Sequence, residues 1–182
     1  HSNIDGIEYY FTPSRKKSIS KLNIEQYQKE SVKLLVEQAI KFKPSIIHIA
    51  SNYSCGLAGT AAAKLLGIPS IYELRGLWHV TRTAKQPEYA NSDHYRMIEN
   101  LEIQAAKNAD HVFTITNGVK DVLLKNGINE GKITLLPNAV DTKRFKPNER
   151  NREIEKKFEL EDKITIGYIG SFTDYEGLDY LL

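Results

Sequence analysis

Two spacings of apolar residues alternate along the chain, and together they predict its fold. Ile24, Tyr27, Leu34, Leu35, Ala39 and Phe42 mark one stripe of a helix over residues 23–42, which Pro44 stops. Ser45-Ile46-Ile47-His48-Ile49-Ala50 follows as an unbroken run rich in β-branched residues, the pattern of a strand buried on both faces of a parallel sheet. The unit repeats. Residues 55–67 are rich in Ala and Leu and end on Gly67, a helix with a glycine C-cap, and 69–74 form the next strand. A second amphipathic helix spans 93–108, with Met97, Ile98, Leu101 and Ala105 on one side and Asp93 as its N-cap. Strands over 111–116 and 132–136 flank a short helix over 118–125.

The remaining stretches are less regular. Residues 7–11 read as a short strand, and 81–92, polar and interrupted by Pro87, as a loop. Beyond Pro147 the pattern predicts a charged helix near 151–159, a strand over 163–169 and the beginning of a helix at 177–182. Strand–helix alternation with short connections predicts an α/β fold, a Rossmann-like doubly wound parallel sheet with helices on both faces. Ligands bind such sheets at the carboxyl ends of the strands. Function is therefore sought just after Ala50, Leu74, Thr116, Leu136 and Ile169.

Composition narrows the classes. The 182 residues are 41% hydrophobic and 26% charged, enough for a core and typical of a soluble globular chain. A net charge of +2, with basic and acidic residues interleaved, excludes the dense basic stripe of a nucleic-acid binder. One local exception is Ser14-Arg15-Lys16-Lys17 with Lys21, which reads either as a solvated loop or as a patch for peripheral contact with anionic lipid headgroups. No apolar run approaches the ~20 residues of a membrane span. The single cysteine, Cys55, rules out an internal disulfide and a cysteine-cluster metal site, and fits a reducing, cytoplasmic setting. A Walker-type G-K-[ST], a nucleophile elbow, H-E-x-x-H and D-x-D are all absent from the sequence.

At the strand ends, Gly56 and Gly59 either let a backbone approach an anion at a helix N-terminus or serve close helix–strand packing. Glu73 and Arg75, two apart on a strand, point to one side. They form either a structural ion pair or a cleft-facing group in which Arg75 offers planar donors to phosphate or sugar oxygens, Gly76 lies beside it and Trp78 supplies a stacking face. His48 reads as a hydrogen-bonded core histidine and His79 as a lone surface one, with an acid or base role as the alternative. Thr114, Thr116, Asn117 and Gly118 place hydroxyls and a helix start at the following strand end, with Asn117 as the cap.

The order of residues in Leu135-Leu136-Pro137-Asn138-Ala139-Val140-Asp141-Thr142-Lys143-Arg144-Phe145 resembles the interdomain signature of the group 1 glycosyltransferases, family 4 of the retaining enzymes. That pattern reads P-N-G-V-D-x-x-x-F, with Ala139 standing here where glycine is commoner. Ile166-Gly167-Tyr168-Ile169-Gly170-Ser171 and Tyr175-Glu176-Gly177-Leu178 resemble the opening of the family's donor domain, and Tyr72-Glu73-Leu74-Arg75-Gly76-Leu77-Trp78 a segment of one branch of it.

The resemblance implies the GT-B fold: an acceptor-side Rossmann-like domain over 1–147 lacking its amino-terminal part, and over 148–182 a linker and the start of the donor domain. It implies retaining transfer from a UDP- or GDP-linked sugar to a glycan or lipid-linked acceptor, as in bacterial polysaccharide biosynthesis, with neither metal nor cofactor. It places Arg75, Gly76 and Trp78 in the cleft, Thr116 and Asn138 at the donor–acceptor junction, and Gly170 and Ser171 near the donor. The family's paired glutamates and diphosphate-gripping residues would lie beyond Leu182, so the 182-residue chain is expected to be inactive alone, and Asp174 and Glu176 stand where many relatives carry Arg or Lys. Two other readings fit the same pattern: a GT-B nucleotide-sugar 2-epimerase, and a non-catalytic doubly wound binding domain.

Overall fold

In a computed structural model, which describes residues 2–11, 23–173 and 176–181, the chain forms two compact units, His1–Pro137 and Asn138–Leu182. The basic segment around Arg15 and the position of Asp174 lie outside the described residues.

The first unit opens with a hairpin of β1 (Ser2–Ile4) and β2 (Ile7–Tyr9). Asp5 and Gly6 turn it with φ of 53° and 81°, the double left-handed geometry of a type I′ turn. Then come α1 (Ile24–Phe42), β3 (Ile47–Ala50), α2 (Tyr53–Leu66), β4 (Ser70–Leu74) and α3 (Trp78–Lys85). They are followed by α4 (Asp93–Asn108), β5 (His111–Thr114), α5 (Asn117–Lys125) and β6 (Ile133–Leu135). The caps explain the boundaries. Asn23, Asn52, Ser92 and Thr116 each accept a backbone N–H from the first turn of α1, α2, α4 and α5, and Gly67 ends α2 at φ 68°. Ser92 and Thr116 thus take the capping roles expected of Asp93 and Asn117, which are instead the first helical residues.

The expected loop over 81–92 is mostly helical, as α3 and a 3-10 turn over Pro87–Asn91. Its local signals are poor. Leu77, at the N-cap position, makes no side-chain cap bond, and His79 is the only buried residue of α3, so the anchor of this helix has to come from elsewhere.

Strands β3, β4, β5 and β6 pair in that order and all run parallel, giving the Rossmann-like α/β arrangement. Every crossover steps the same way, so right-handed connections bring α2, α4 and α5 to one face, with α1 alongside α2. Burial follows the pleat. Ile49, Tyr72, Leu74, Val112 and Ile133 are buried beneath the helices, whereas His48, Ile71, Glu73, Phe113 and Thr134 point to the other face and are half-buried or exposed. Among the described residues of this unit no helix packs on that second face, so the strand at 45–50 is buried on one side only and His48 is not a core residue.

Two glycines set how near α2 comes to the sheet. A Cβ on Gly59 would stand 2.4 Å from Ile49 Cγ1, and one on Gly56 would stand 2.6 Å from Ala105 Cβ and 3.0 Å from the Tyr72 ring. Close packing is therefore what these glycines do. At the opposite end of the sheet, Asp110 Oδ2 accepts from both the N–H and the hydroxyl of Ser70, each at 2.8 Å, joining the start of β4 to the chain entering β5.

The second unit holds α6 (Arg152–Lys157), capped by Asn151, and a 3-10 turn over Leu178–Tyr180. Glu155 is buried between Arg150 and Arg152, at 2.9 and 3.3 Å. The expected strand over 163–169 is not formed. A strand needs a neighbour to take its backbone hydrogen bonds, this unit supplies none among its described residues, and Ile164, Ile166 and Ile169 stay exposed. The helix expected from 177 is only the 3-10 turn.

Gly56→Ala should lower the unfolding free energy by about 2 kcal/mol, because Ala105 is a methyl on a helix backbone and cannot step aside; urea denaturation checks this. The hydrogen bonds from Ser70 hold the Asp110 carboxyl below its ordinary value. A lowered folded pKa stabilises above the unfolded value and loses that contribution as pH falls through the folded one. The stability lead of the wild type over Asp110→Asn should accordingly be full near neutrality and shrink below about pH 4, as thermal melts across pH would show.

Candidate functional site

The parallel strands deliver their carboxyl ends to one edge of the sheet, and that edge carries the chemistry. After β3, Ser51 adopts φ 98°, unusual for a residue with a side chain, and its carbonyl accepts the Tyr72 hydroxyl at 3.1 Å. Burial pushes the Tyr72 phenol up, with the Glu102 charge adding to it, so the hydroxyl remains a donor throughout the physiological range.

At the end of β4, Glu73 is held between Arg75 and the His48 ring. Its Oε1 accepts from Arg75 Nε at 2.7 Å, and its Oε2 lies 3.0 Å from His48 Nε2. The side chain of Glu73 is only 13% accessible, whereas that of Arg75 is 63% accessible. The ion pair therefore exists, and it leaves most of the guanidinium facing solvent at the edge. His48 also meets the Phe113 ring edge-on, and Phe113 meets His111 in the same manner. Gly76 has open space where a Cβ would stand, so nothing steric requires glycine there. The Trp78 ring is exposed.

His79 is the clearest departure from the sequence reading, being buried rather than on the surface. Its Nδ1 lies 2.7 Å from Glu102 Oε2, its ring packs edge-on to Tyr95, and its Nε2 lies 3.9 Å from Glu99. Glu102, wholly buried in α4, uses its other oxygen to accept the backbone N–H of Trp78 at 2.9 Å. This carboxylate caps α3 from a different helix. Burial first, and then the nearby carboxylates, raises the Tyr95 phenol as well. Sequence reasoning missed Glu102. The signal was present: Ile98, Glu102, Ala105 and Ala106 share the inward face of α4, which puts a glutamate in an apolar stripe.

After β5, Thr116 Oγ1 caps α5, while Thr114 is buried beneath the helices and not at the rim. Arg75, Gly76, Trp78 and Thr116 thus sit at the same sheet edge. Asn138, Gly170 and Ser171 belong to the second unit and are exposed. There Asp141 turns the chain by accepting from Lys143 N through its carboxylate and from Phe145 N through its carbonyl. Phe145 is exposed. The Tyr168 hydroxyl donates to the Ser171 carbonyl at 2.9 Å and occupies the space where a Cβ on Gly170 would be. Among the described residues no cluster of three or more His, Cys, Asp or Glu could hold a metal ion, and no helix is long and apolar enough to cross a membrane.

Residues 8–144 match the model of Glycosyltransferase Family 4. Similar curated proteins include a GDP-mannose-dependent alpha-mannosyltransferase of Mycobacterium tuberculosis, 23% identical over 77% of this chain and 35% of that protein. The UDP-Gal:alpha-D-GlcNAc-diphosphoundecaprenol alpha-1,3-galactosyltransferase of Escherichia coli is 26% identical over 84% of this chain and 37% of its own length. An alpha-monoglucosyldiacylglycerol synthase of Acholeplasma laidlawii is 25% identical over 63% and 29%. The chain spans about a third of the length of these relatives. Among solved structures, that of S. aureus MnaA with UDP is 19% identical, covering 76% of this chain and 36% of that one at a TM-score of 0.47.

Because the Glu73–Arg75 pair is largely solvated on the arginine side, Arg75→Ala should change the unfolding free energy by less than about 1 kcal/mol. Equilibrium urea curves for the two proteins provide the comparison.

Proposed function

This chain belongs to glycosyltransferase family 4, and from that premise we propose that the protein of which these residues form part transfers a sugar, with retention, from a UDP- or GDP-linked donor to a glycan or lipid-linked acceptor. The family match over residues 8–144 carries the reading. The Arg75–Trp78 segment at the carboxyl edge of the sheet supports it. Arg75 presents fixed planar donors suited to sugar or phosphate oxygens, and Trp78 presents an exposed aromatic face suited to the apolar side of a sugar ring.

On this reading the first unit receives the acceptor, Thr116 and Asn138 stand near where donor and acceptor meet, and Gly170 and Ser171 serve the donor. The reaction is proposed to need no metal ion, the charge of the departing diphosphate being met by fixed protein donors. Peripheral contact with a membrane, through the basic residues Arg15, Lys16 and Lys17, is part of the same proposal and follows from their charge alone.

The test takes the protein with its whole reading frame and follows nucleoside diphosphate release from UDP- and GDP-sugars, with and without a lipid-linked acceptor extract. Acceptor-dependent release, unaffected by EDTA, is expected. Release or isomerisation that ignores the acceptor would overturn the proposal. Arg75→Ala should reduce kcat/KM about tenfold or more, as loss of a hydrogen bond to a charged group does; unchanged turnover would remove Arg75 from the site.

A further inference from the structure

The residues assigned above to acceptor contact lie on a very short connection. Arg75, Gly76 and Leu77 are all that separates the end of β4 from the start of α3. At the β4 end the chain is fixed by the sheet. At the other end, α3 lacks a side-chain cap of its own. What fixes it is Glu102, whose Oε1 accepts the Trp78 N–H at 2.9 Å and whose Oε2 meets His79 Nδ1 at 2.7 Å. Both partners of that second bond are buried, with side-chain accessibilities of 1% and 0%. One carboxylate thereby clamps two successive residues, and through them the orientation of Trp78 and the reach of Arg75.

We infer that Glu102, acting with His79, is a positioning residue for acceptor binding: it touches no substrate, and it sets the conformation of the Arg75–Trp78 segment that does. This rests on the proposed transferase reading for what the segment binds, though not for what holds it. The clamp is well placed for that role. A buried carboxylate with two hydrogen bonds has few alternative arrangements, and a three-residue connection transmits displacement of its anchor directly to Arg75. The groups facing the pair are Glu99 and Tyr95 from α4, Tyr72 from β4, and Tyr53 from α2, whose phenol is raised by burial and then by the Glu102 charge.

Trp78 is the only tryptophan in the 182 residues, so its fluorescence reports on the clamped segment by itself. Glu102→Met removes both acceptors while keeping side-chain volume, and Glu102→Gln keeps an oxygen for the Trp78 N–H and an amide to face the His79 ring. In the 182-residue chain, acrylamide quenching and anisotropy of Trp78 should change in the Met variant, with the far-ultraviolet circular dichroism of the wild type retained, and return in the Gln variant.

In the protein with its whole reading frame, the Met variant should raise KM for the acceptor about tenfold, leave KM for the donor within about twofold, and be rescued by Gln. Should the Met variant fail to fold, His79→Leu, which keeps the Trp78 bond and removes the other, is read by the same measurements. Unchanged Trp78 fluorescence would overturn the inference. So would altered fluorescence with activity falling only in proportion to folded protein and both KM values unmoved. If the wild type proves independent of any acceptor, the transferase reading falls and the acceptor role of Glu102 falls with it. The fluorescence result still decides separately whether the clamp holds the segment.

Discussion

Everything in the first unit follows from how closely α2 approaches the sheet. Gly56 and Gly59 lie on the helix face turned inward, and Ile49, Tyr72 and Ala105 occupy the space their side chains would have filled. The approach brings α4 in beside α2, with Ala105 as the small residue that meets Gly56. Dispersion contacts of this kind fall off steeply with distance, so packing at native density is possible only where both surfaces are trimmed. The same closeness lets the Tyr72 ring lie under α2 while its hydroxyl reaches the Ser51 carbonyl at the strand end.

One turn before Ala106 on α4, the same inward face carries Glu102. In most cores a carboxylate at such a position would be a liability, since its desolvation exceeds what a single partner returns. Here both of its oxygens are engaged, and the groups they engage start the helix that follows the strand-end segment. Packing and site geometry are therefore one problem in this fold. The residues that determine where α4 lies also determine where Arg75 and Trp78 are presented. The exposed guanidinium of Arg75, tied at one nitrogen to Glu73 and free to reach outward with the rest, is the result at the surface.

Much of the first unit was legible in the sequence because its determinants are local. Apolar period marked the helices at 24–42 and 93–108, although the N-cap of the latter is Ser92 and not Asp93. Ala and Leu content with a glycine cap marked the helix at 53–66 to within two residues, and a β-branched run marked the strand at 47–50. What was illegible depends on partners distant along the chain. The helix over Trp78–Lys85 has a polar sequence and no local cap, and its anchor lies 24 residues later at Glu102. His79 was read as a surface residue for the same reason. The run at 163–169 is rich in β-branched and aromatic residues, yet no neighbour among the described residues of its unit takes up its hydrogen bonds. The amino-terminal hairpin was half read: a strand over 7–11 was expected and forms as Ile7–Tyr9, but Ser2–Ile4 is too short to show a period, and only the Asp5-Gly6 turn could have revealed it. Of the candidate site, fold logic pointed to the segment after β4 and strand geometry to the shared side of Glu73 and Arg75, whereas the buried support beneath them was signalled only by a glutamate in the apolar stripe of α4.

The two faces of the four-stranded sheet use different alphabets. Under the helices stand Ile49, Tyr72, Leu74, Val112 and Ile133, chosen for shape; across the pleat stand His48, Ile71, Glu73, His111, Phe113 and Thr134, most of them polar or aromatic. Adjacent residues on one strand thus answer to unrelated demands. Drift in this protein should therefore be legible as a beat of two along each strand, volume held constant at one position and polarity free to be rewritten at the next.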